Sequence, residues 1–208
     1  MTERWAVLFK KALKILEKAG ISREEWSFGG GSALTMYYKH RESFDIDIFL
    51  SDVQYLLLLT PRLNYISDIR DYTEMSNFVK LKMEEGEIDF ILAPHLTKDW
   101  YVLKELYSEV VQIETPWEII VKKLFYRPES LKIRDIIDTA IVLKNERRKM
   151  REQRHILVPK YDILNARWGK LKELYKTEVG NLIIYDKEIA EIAPVIFNDF
   201  LLEIRASY

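Results

Sequence analysis

The chain has 208 residues, 48% hydrophobic and 31% charged, with a net charge of −1 and a pI near 6.4. That length and apolar content support one large or two small packed domains and exclude a disordered chain, while the near-neutral balance excludes a general polyanion-binding coat. Cysteine is absent, which excludes a disulfide framework and thiolate zinc sites.

Charges from Lys10 to Lys18 leave no signal-peptide core, and the apolar run Tyr55 to Thr60 is too short to span a bilayer, so a cytoplasmic location is expected. Residues 3–19 read as an amphipathic helix with Trp5, Leu8, Ala12, Ile15, Leu16 and Ala19 on one stripe and Gly20 as its stop. Trp26 to Phe28 read as a short strand, Gly29 to Gly31 as a turn and Ala33 to Lys39 as a helix. The run Phe44 to Leu50 reads as a strand with Asp45 and Asp47 on one face and Phe44, Ile46 and Ile48 on the other. Val53 to Leu59 predict a helix ended by Pro61. Phe78 to Met83 and Glu87 to Leu92 alternate in polarity, and Glu84-Glu85-Gly86 between them reads as a hairpin turn.

From Trp100 onward helical periodicity is expected to dominate. Helices are predicted at Pro116 to Tyr126 with Thr115 as N-cap, at Leu131 to Leu143, at Tyr161 to Tyr175, and at Lys187 to Ile204, the last kinked or divided by Pro194. The fold class expected is α+β, a small mixed sheet with flanking helices followed by a helical C-terminal domain. The expected boundaries are 1–114 and 115–208, with an active-site cleft completed by the second domain.

Two carboxylates on one strand face, Asp45 and Asp47, repel each other unless a cation compensates, and hard oxygen ligands with phosphate co-ligands suit Mg²⁺. The glycines at 29–31 permit close approach of backbone to a ligand, and the helix start behind them offers N–H groups to an anion. Neither a Walker P-loop nor a GxGxxG run is present. Gly30-Gly31-Ser32, then a helix, then Arg41-x-Ser43-x-Asp45-x-Asp47 resembles the polymerase-beta-like nucleotidyltransferases, and within them the abortive-infection AbiEii toxin family. Asp89 in the second alternating strand resembles that family's third carboxylate. Lys123-Leu124 and Arg134-Asp135-x-x-Asp138 resemble its downstream helical motifs, so the resemblance runs from about Gly29 to Ile141.

The resemblance implies a nucleotidyltransferase that moves a nucleoside monophosphate from an NTP to an acceptor with release of pyrophosphate. It also implies an RNA acceptor such as tRNA, and a toxin role with an antitoxin partner. Asp45, Asp47 and Asp89 would hold two Mg²⁺ ions, and Asp89 would also assist deprotonation of the acceptor. Gly30, Gly31 and Ser32 would bind the β- and γ-phosphates, with Arg41 as a further nucleotide contact or an orienting group for the aspartates.

Helical phase separates the two lysines. Lys122, four residues after Glu118, suits a surface ion pair, whereas Lys123 is expected to neutralise phosphate charge. Asp135 and Asp138 lie three apart, away from the stripe of Ile133, Ile136, Ile137, Ala140 and Ile141; either is a candidate catalytic carboxylate, with Asp135 facing a cleft or solvent, and a surface Arg134–Asp138 pair is the alternative. His40, His95 and His155 are too scattered for a zinc pattern. The basic stretch Lys144 to His155 is a solvated face or an RNA contact. Three other functions fit the same residues: a small-molecule nucleotidyltransferase of the antibiotic-modifying sort, a metal-dependent nuclease, and a non-catalytic nucleotide-binding module.

Overall fold

The stripe on the first segment covers a sheet. Helix α1 (Glu3–Lys18) buries Trp5, Leu8, Phe9, Ala12 and Leu16, and its Trp5 and Phe9 rings meet Phe28 at 5.6 and 5.4 Å. Burying an aromatic side chain of this size is worth roughly 1.5–3 kcal/mol, so this cluster is a principal anchor of the sheet. Gly20, at φ +68°, takes the left-handed turn that ends the helix. The structure, a computed structural model, describes residues 3–206. It divides into a sheet unit (Met1–Met36, Ser43–Pro94, Tyr101–Glu114) and a helical unit (Tyr37–Glu42, His95–Trp100, Thr115–Tyr208).

Among the described residues the sheet unit holds one mixed sheet of seven strands in the order β3-β4-β5-β2-β1-β7-β6. The strands are β1 (Trp26–Gly29), β2 (Ile46–Leu50), β3 (Asp71–Met75), β4 (Phe78–Lys82), β5 (Glu87–Leu92), β6 (Tyr101–Leu106) and β7 (Glu109–Glu114). β1 runs antiparallel to β2 and parallel to β7, and β2 runs parallel to β5. Alternation works as expected in the centre: Ile46, Ile48, Leu50, Ile88 and Phe90 are buried, while Asp47 and Asp89 take the other face. Phe44 is an exception. It is exposed and precedes β2, as does Asp45, so only Asp47 of the aspartate pair lies within the strand. α2 (Gly30–Tyr38) begins at the second glycine, not at Ala33, and α3 (Gln54–Leu59) stops before Pro61.

β6 and β7 correct the expectation of helix from Trp100 onward. Tyr101 to Glu105 are all exposed on an edge strand, so no alternation marks them. The turn residues Tyr107 and Ser108 both have positive φ, the geometry of a type I′ hairpin, without the Asn-Gly or Asp-Gly pair that usually announces it.

In the helical unit, α4 (Pro116–Tyr126), α5 (Ile133–Leu157), α6 (Tyr161–Glu178) and α7 (Lys187–Arg205) pack with α5 against both α4 and α7. α5 runs well past Leu143, leaving helical geometry at Glu146 (φ −125°, ψ 34°) and resuming through the basic stretch. α7 runs as one helix across Pro194. Thr115 precedes α4 but does not cap it; its hydroxyl donates to the Asp99 carbonyl at 3.0 Å. No helix among the described residues is long and apolar enough to cross a membrane.

Candidate active site

Four strands of the sheet unit line up one row of residues. Gly29 pairs with Asp47 across β1–β2, Asp47 with Asp89 across β2–β5, and Asp89 with Lys80 across β5–β4. Directly opposite positions share a face, so two carboxylates sit side by side with a lysine beyond them. Lys80 Nζ lies 3.1 Å from Asp89 Oδ2 and 2.6 Å from Glu87 Oε2. Asp89 Oδ1 is buried with no hydrogen-bond partner. Burial first, then the Asp47 charge and more weakly that of Asp45, push the Asp89 carboxyl up to about 7 against the pull of Lys80. Burial lowers the Lys80 ammonium, but its bonds to Glu87 and Asp89 outweigh that and hold it above its ordinary value.

The glycine turn is shaped by these carboxylates. Gly30 has φ +68°, and a Cβ there would collide with the Asp47 carboxylate; a Cβ on Gly29 would strike both Glu114 and Phe49. Gly30→Ala is therefore expected to destabilise the protein by at least about 1–2 kcal/mol from backbone strain alone, with displacement of Asp47 added to it; thermal denaturation checks this. Ser32 is 1% exposed and donates to the Asp45 carbonyl at 2.5 Å, with Ser43 Oγ 3.2 Å away. These bonds tie the first turn of α2 to the lead-in of β2. Gly31 is buried in the same turn.

The row suits a hard divalent cation. The donors are carboxylate oxygens, one of them is buried and unpartnered, and Asp45 stands close enough for its charge to act on Asp89. Among the described residues no three His, Cys, Asp or Glu side chains lie together in a group that could by themselves hold a metal ion. Mg²⁺ seldom uses such a group, taking one or two carboxylates together with water and substrate phosphates.

The remaining candidates gather in the helical unit as a buried ion cluster. Arg41 clamps Asp138 with Nε and Nη2 at 2.7 and 2.8 Å, His40 Nε2 lies 2.8 Å from the same carboxylate, and Lys123 Nζ reaches it at 2.5 Å. Lys123 also lies 3.3 Å from Asp135, which Arg127 meets at 2.7 Å and the Lys132 backbone N–H at 2.9 Å. Asp135 and Asp138 are fully buried. Burial would raise both carboxyls, yet Lys123 and Arg127 hold Asp135 below the usual range, and Arg41 and Lys123 hold Asp138 well below it. This corrects the expectation that Asp135 faces a cleft or solvent and that Asp138 pairs with Arg134 at the surface. Arg41 Nε and Nη2 form a two-pronged contact with the Asp138 carboxylate.

The surface pair of Glu118 and Lys122 is also corrected. Both are buried, and Glu118 accepts the backbone N–H groups of Leu96 and Thr97 at 2.8 Å, which a 3.6-residue period cannot foresee because those donors lie some twenty residues away. His95 stacks on Trp100 at 4.8 Å. The basic stretch is largely neutralised within its own unit: Lys144 by Glu188, Arg147 and Arg151 by Glu203, Arg148 by Glu152 and Lys149 by Asp99. Two residues escaped the sequence reading. Lys80 was legible, since the hairpin turn at 84–86 sets the register that brings it opposite Asp89. Glu114, which accepts from Ser27 Oγ at 3.1 Å, lies on the strand that the sequence did not reveal.

No curated protein matches the sequence. Among solved structures, the fold is similar to that of JHP933 from Helicobacter pylori, with 13% identity, a TM-score of 0.50, and coverage of 100% of this chain and 96% of that one. A second H. pylori chain, provisionally described as a nucleotidyltransferase, gives the same identity and TM-score over 100% of this chain and 99% of its own. At that identity the likeness concerns fold alone. The sequence itself goes further, since residues 14–160, which carry the glycine turn, the aspartate row and the ion cluster, match a family model, and the chain belongs to that family, the nucleotidyl transferase AbiEii toxins of type IV toxin–antitoxin systems.

Proposed function

We propose that the protein is a Mg²⁺-dependent nucleotidyltransferase that moves a nucleoside monophosphate from an NTP to an RNA acceptor such as tRNA, and that it acts in the cytoplasm as the toxin partnered by an antitoxin. Family membership supports the reaction class. The single observation that carries the metal requirement is the buried, unpartnered Asp89 Oδ1 beside Asp47.

In this reading Asp45, Asp47 and Asp89 hold the metal. Bound there, Mg²⁺ supplies neutralisation of the triphosphate and a lowered pKa for the attacking hydroxyl. Gly30 and Gly31 let the backbone at the start of α2 approach the β- and γ-phosphates without a side chain intervening. Asp89 also assists deprotonation of the acceptor hydroxyl, as the carboxylate on the strand beside Asp47. Lys123, a tenth exposed, keeps the proposed role of neutralising an anion at the surface of the helical unit, whereas Arg41, Asp135 and Asp138 hold it in place.

Incubation with each α-labelled NTP, Mg²⁺ and total tRNA tests the proposal. Label is expected in the RNA, with pyrophosphate released and with loss of transfer on chelation of the metal. Cleavage of the RNA without label transfer would replace the reading by a nuclease, and label appearing only in a panel of small molecules would replace the acceptor.

A further inference from the structure

Lys80 already occupies charge space that a metal would claim. Its ammonium directs bonds to Asp89 Oδ2 and Glu87 Oε2 at 3.1 and 2.6 Å, and the three side chains are only 16–35% exposed, so the attraction is screened less than at a bare surface. The pair lies in the same row as Asp47, one strand further along. A free divalent cation entering beside Asp89 must either bear the repulsion of the ammonium or push it aside. The triphosphate of a nucleotide changes that balance, because its negative charge compensates both cations at once.

Resting on the reading of the site as a metal and nucleotide site, we propose that Lys80 is a resident counter-cation for Asp89 that holds off free divalent ions, so that metal and nucleoside triphosphate are taken up together. Lys80 is thus a positioning residue. It acts through Asp89, keeping Oδ2 engaged and leaving Oδ1 as the oxygen presented to a ligand. Glu87 sets its strength by sharing the ammonium.

Mn²⁺ titrations followed by electron paramagnetic resonance, with and without ATP, GTP, CTP or UTP, read this directly. In the wild type, Mn²⁺ alone is expected to bind weakly and an NTP to tighten it strongly. Lys80→Met is expected to tighten Mn²⁺-alone binding by roughly tenfold or more and to shrink the nucleotide effect, since removing a unit charge a few ångströms away is worth at least that in a partly buried site. Lys80→Arg should restore wild-type behaviour. Glu87→Gln, which leaves the ammonium to Asp89 alone, should weaken Mn²⁺-alone binding, and it carries the test if Lys80→Met fails to fold. A residue serving only to hold the sheet together would weaken binding when lost, so unchanged or weaker Mn²⁺ affinity in Lys80→Met, or tighter affinity in Glu87→Gln, overturns the inference. If the wild type binds neither Mn²⁺ nor Mn²⁺ with any NTP, the proposed function itself falls.

Discussion

Asp138→Ala is expected to lower the unfolding free energy by about 3–5 kcal/mol, the range for removing one partner of a buried ion pair, and by more if its three partners cannot relax. Its carboxylate is fully buried and holds Arg41 through two bonds, Lys123 through one and His40 through one. Removing it leaves a buried guanidinium and a nearly buried ammonium without their main counter-charge. For a chain of this length that corresponds to a fall in melting temperature of about 10 °C or more. The pH dependence has a defined sign. The folded carboxyl is held well below its unfolded value near 4, so its contribution is present above that value and is lost as pH falls toward the folded one. The gap between wild type and variant should therefore be full at pH 7 and narrow in strong acid, as read by urea unfolding followed by circular dichroism. A gap of less than about 1 kcal/mol at pH 7 would show that the cluster is solvated in solution.

This expectation changes how loss of activity in that cluster should be read. Asp135 and Asp138 satisfy Lys123, Arg127 and Arg41, so the two buried carboxylates face three basic side chains. An inactive Asp135 or Asp138 variant would by itself report the collapse of that balance, not a proton transfer. Replacing Asp138 and Arg41 together by apolar residues removes the mismatch and is the control that separates the two explanations.

Local signals carried much of the fold. The stripe on α1, the alternation of β2 and β5, the turn at Glu84 to Gly86 and the Thr-Pro start of α4 each follow from short-range periodicity or backbone chemistry, and each lies where sequence places it. The misreadings share a physical cause, which is that burial is decided by distant chain. Tyr101 to Glu105 form a strand because β7 pairs with them, though their own side chains are exposed. Glu118 is buried because backbone donors at Leu96 and Thr97 neutralise it, and Arg41 pairs with Asp138, nearly a hundred residues later, because that carboxylate offers its guanidinium a matched fork. The aspartate row was legible in residue type and order, but its register was not. Only the parallel pairing of β2 with β5 sets Asp47 against Asp89.

Asp89→Asn should remove at least about 10²-fold of transfer activity, the scale of losing one preorganised group at the reacting centre, and yet make the metal-free protein more stable at neutral and alkaline pH. The folded carboxyl sits at about 7 and the unfolded one near 4. Because the folded value is the higher one, the folded state holds its proton over that interval. Its stabilising effect is complete below about pH 4, fades as pH rises, and is gone above about 7. A tenfold difference in proton affinity between the folded and unfolded states is worth about 1.4 kcal/mol, so the wild type should lose on the order of 3–4 kcal/mol between these limits through this group alone. Asparagine mimics the protonated form and cannot ionise, so it lacks that slope. The attraction of Lys80 acts only on the ionised carboxylate and is already part of the balance that sets the folded value. Urea unfolding of both proteins at pH 5 and pH 8, without metal, measures the difference of differences, and a variant advantage larger by about 2–4 kcal/mol at pH 8 is expected. Mg²⁺ with NTP should then stabilise the wild type at pH 8 and leave the variant nearly unmoved, because the ligand offsets the repulsion of Asp47 and Asp89 only where both carboxylates are present. Equal pH slopes in the two proteins would mean that burial and the Asp47 charge do not raise the Asp89 carboxyl in the metal-free state, and this prediction would fail.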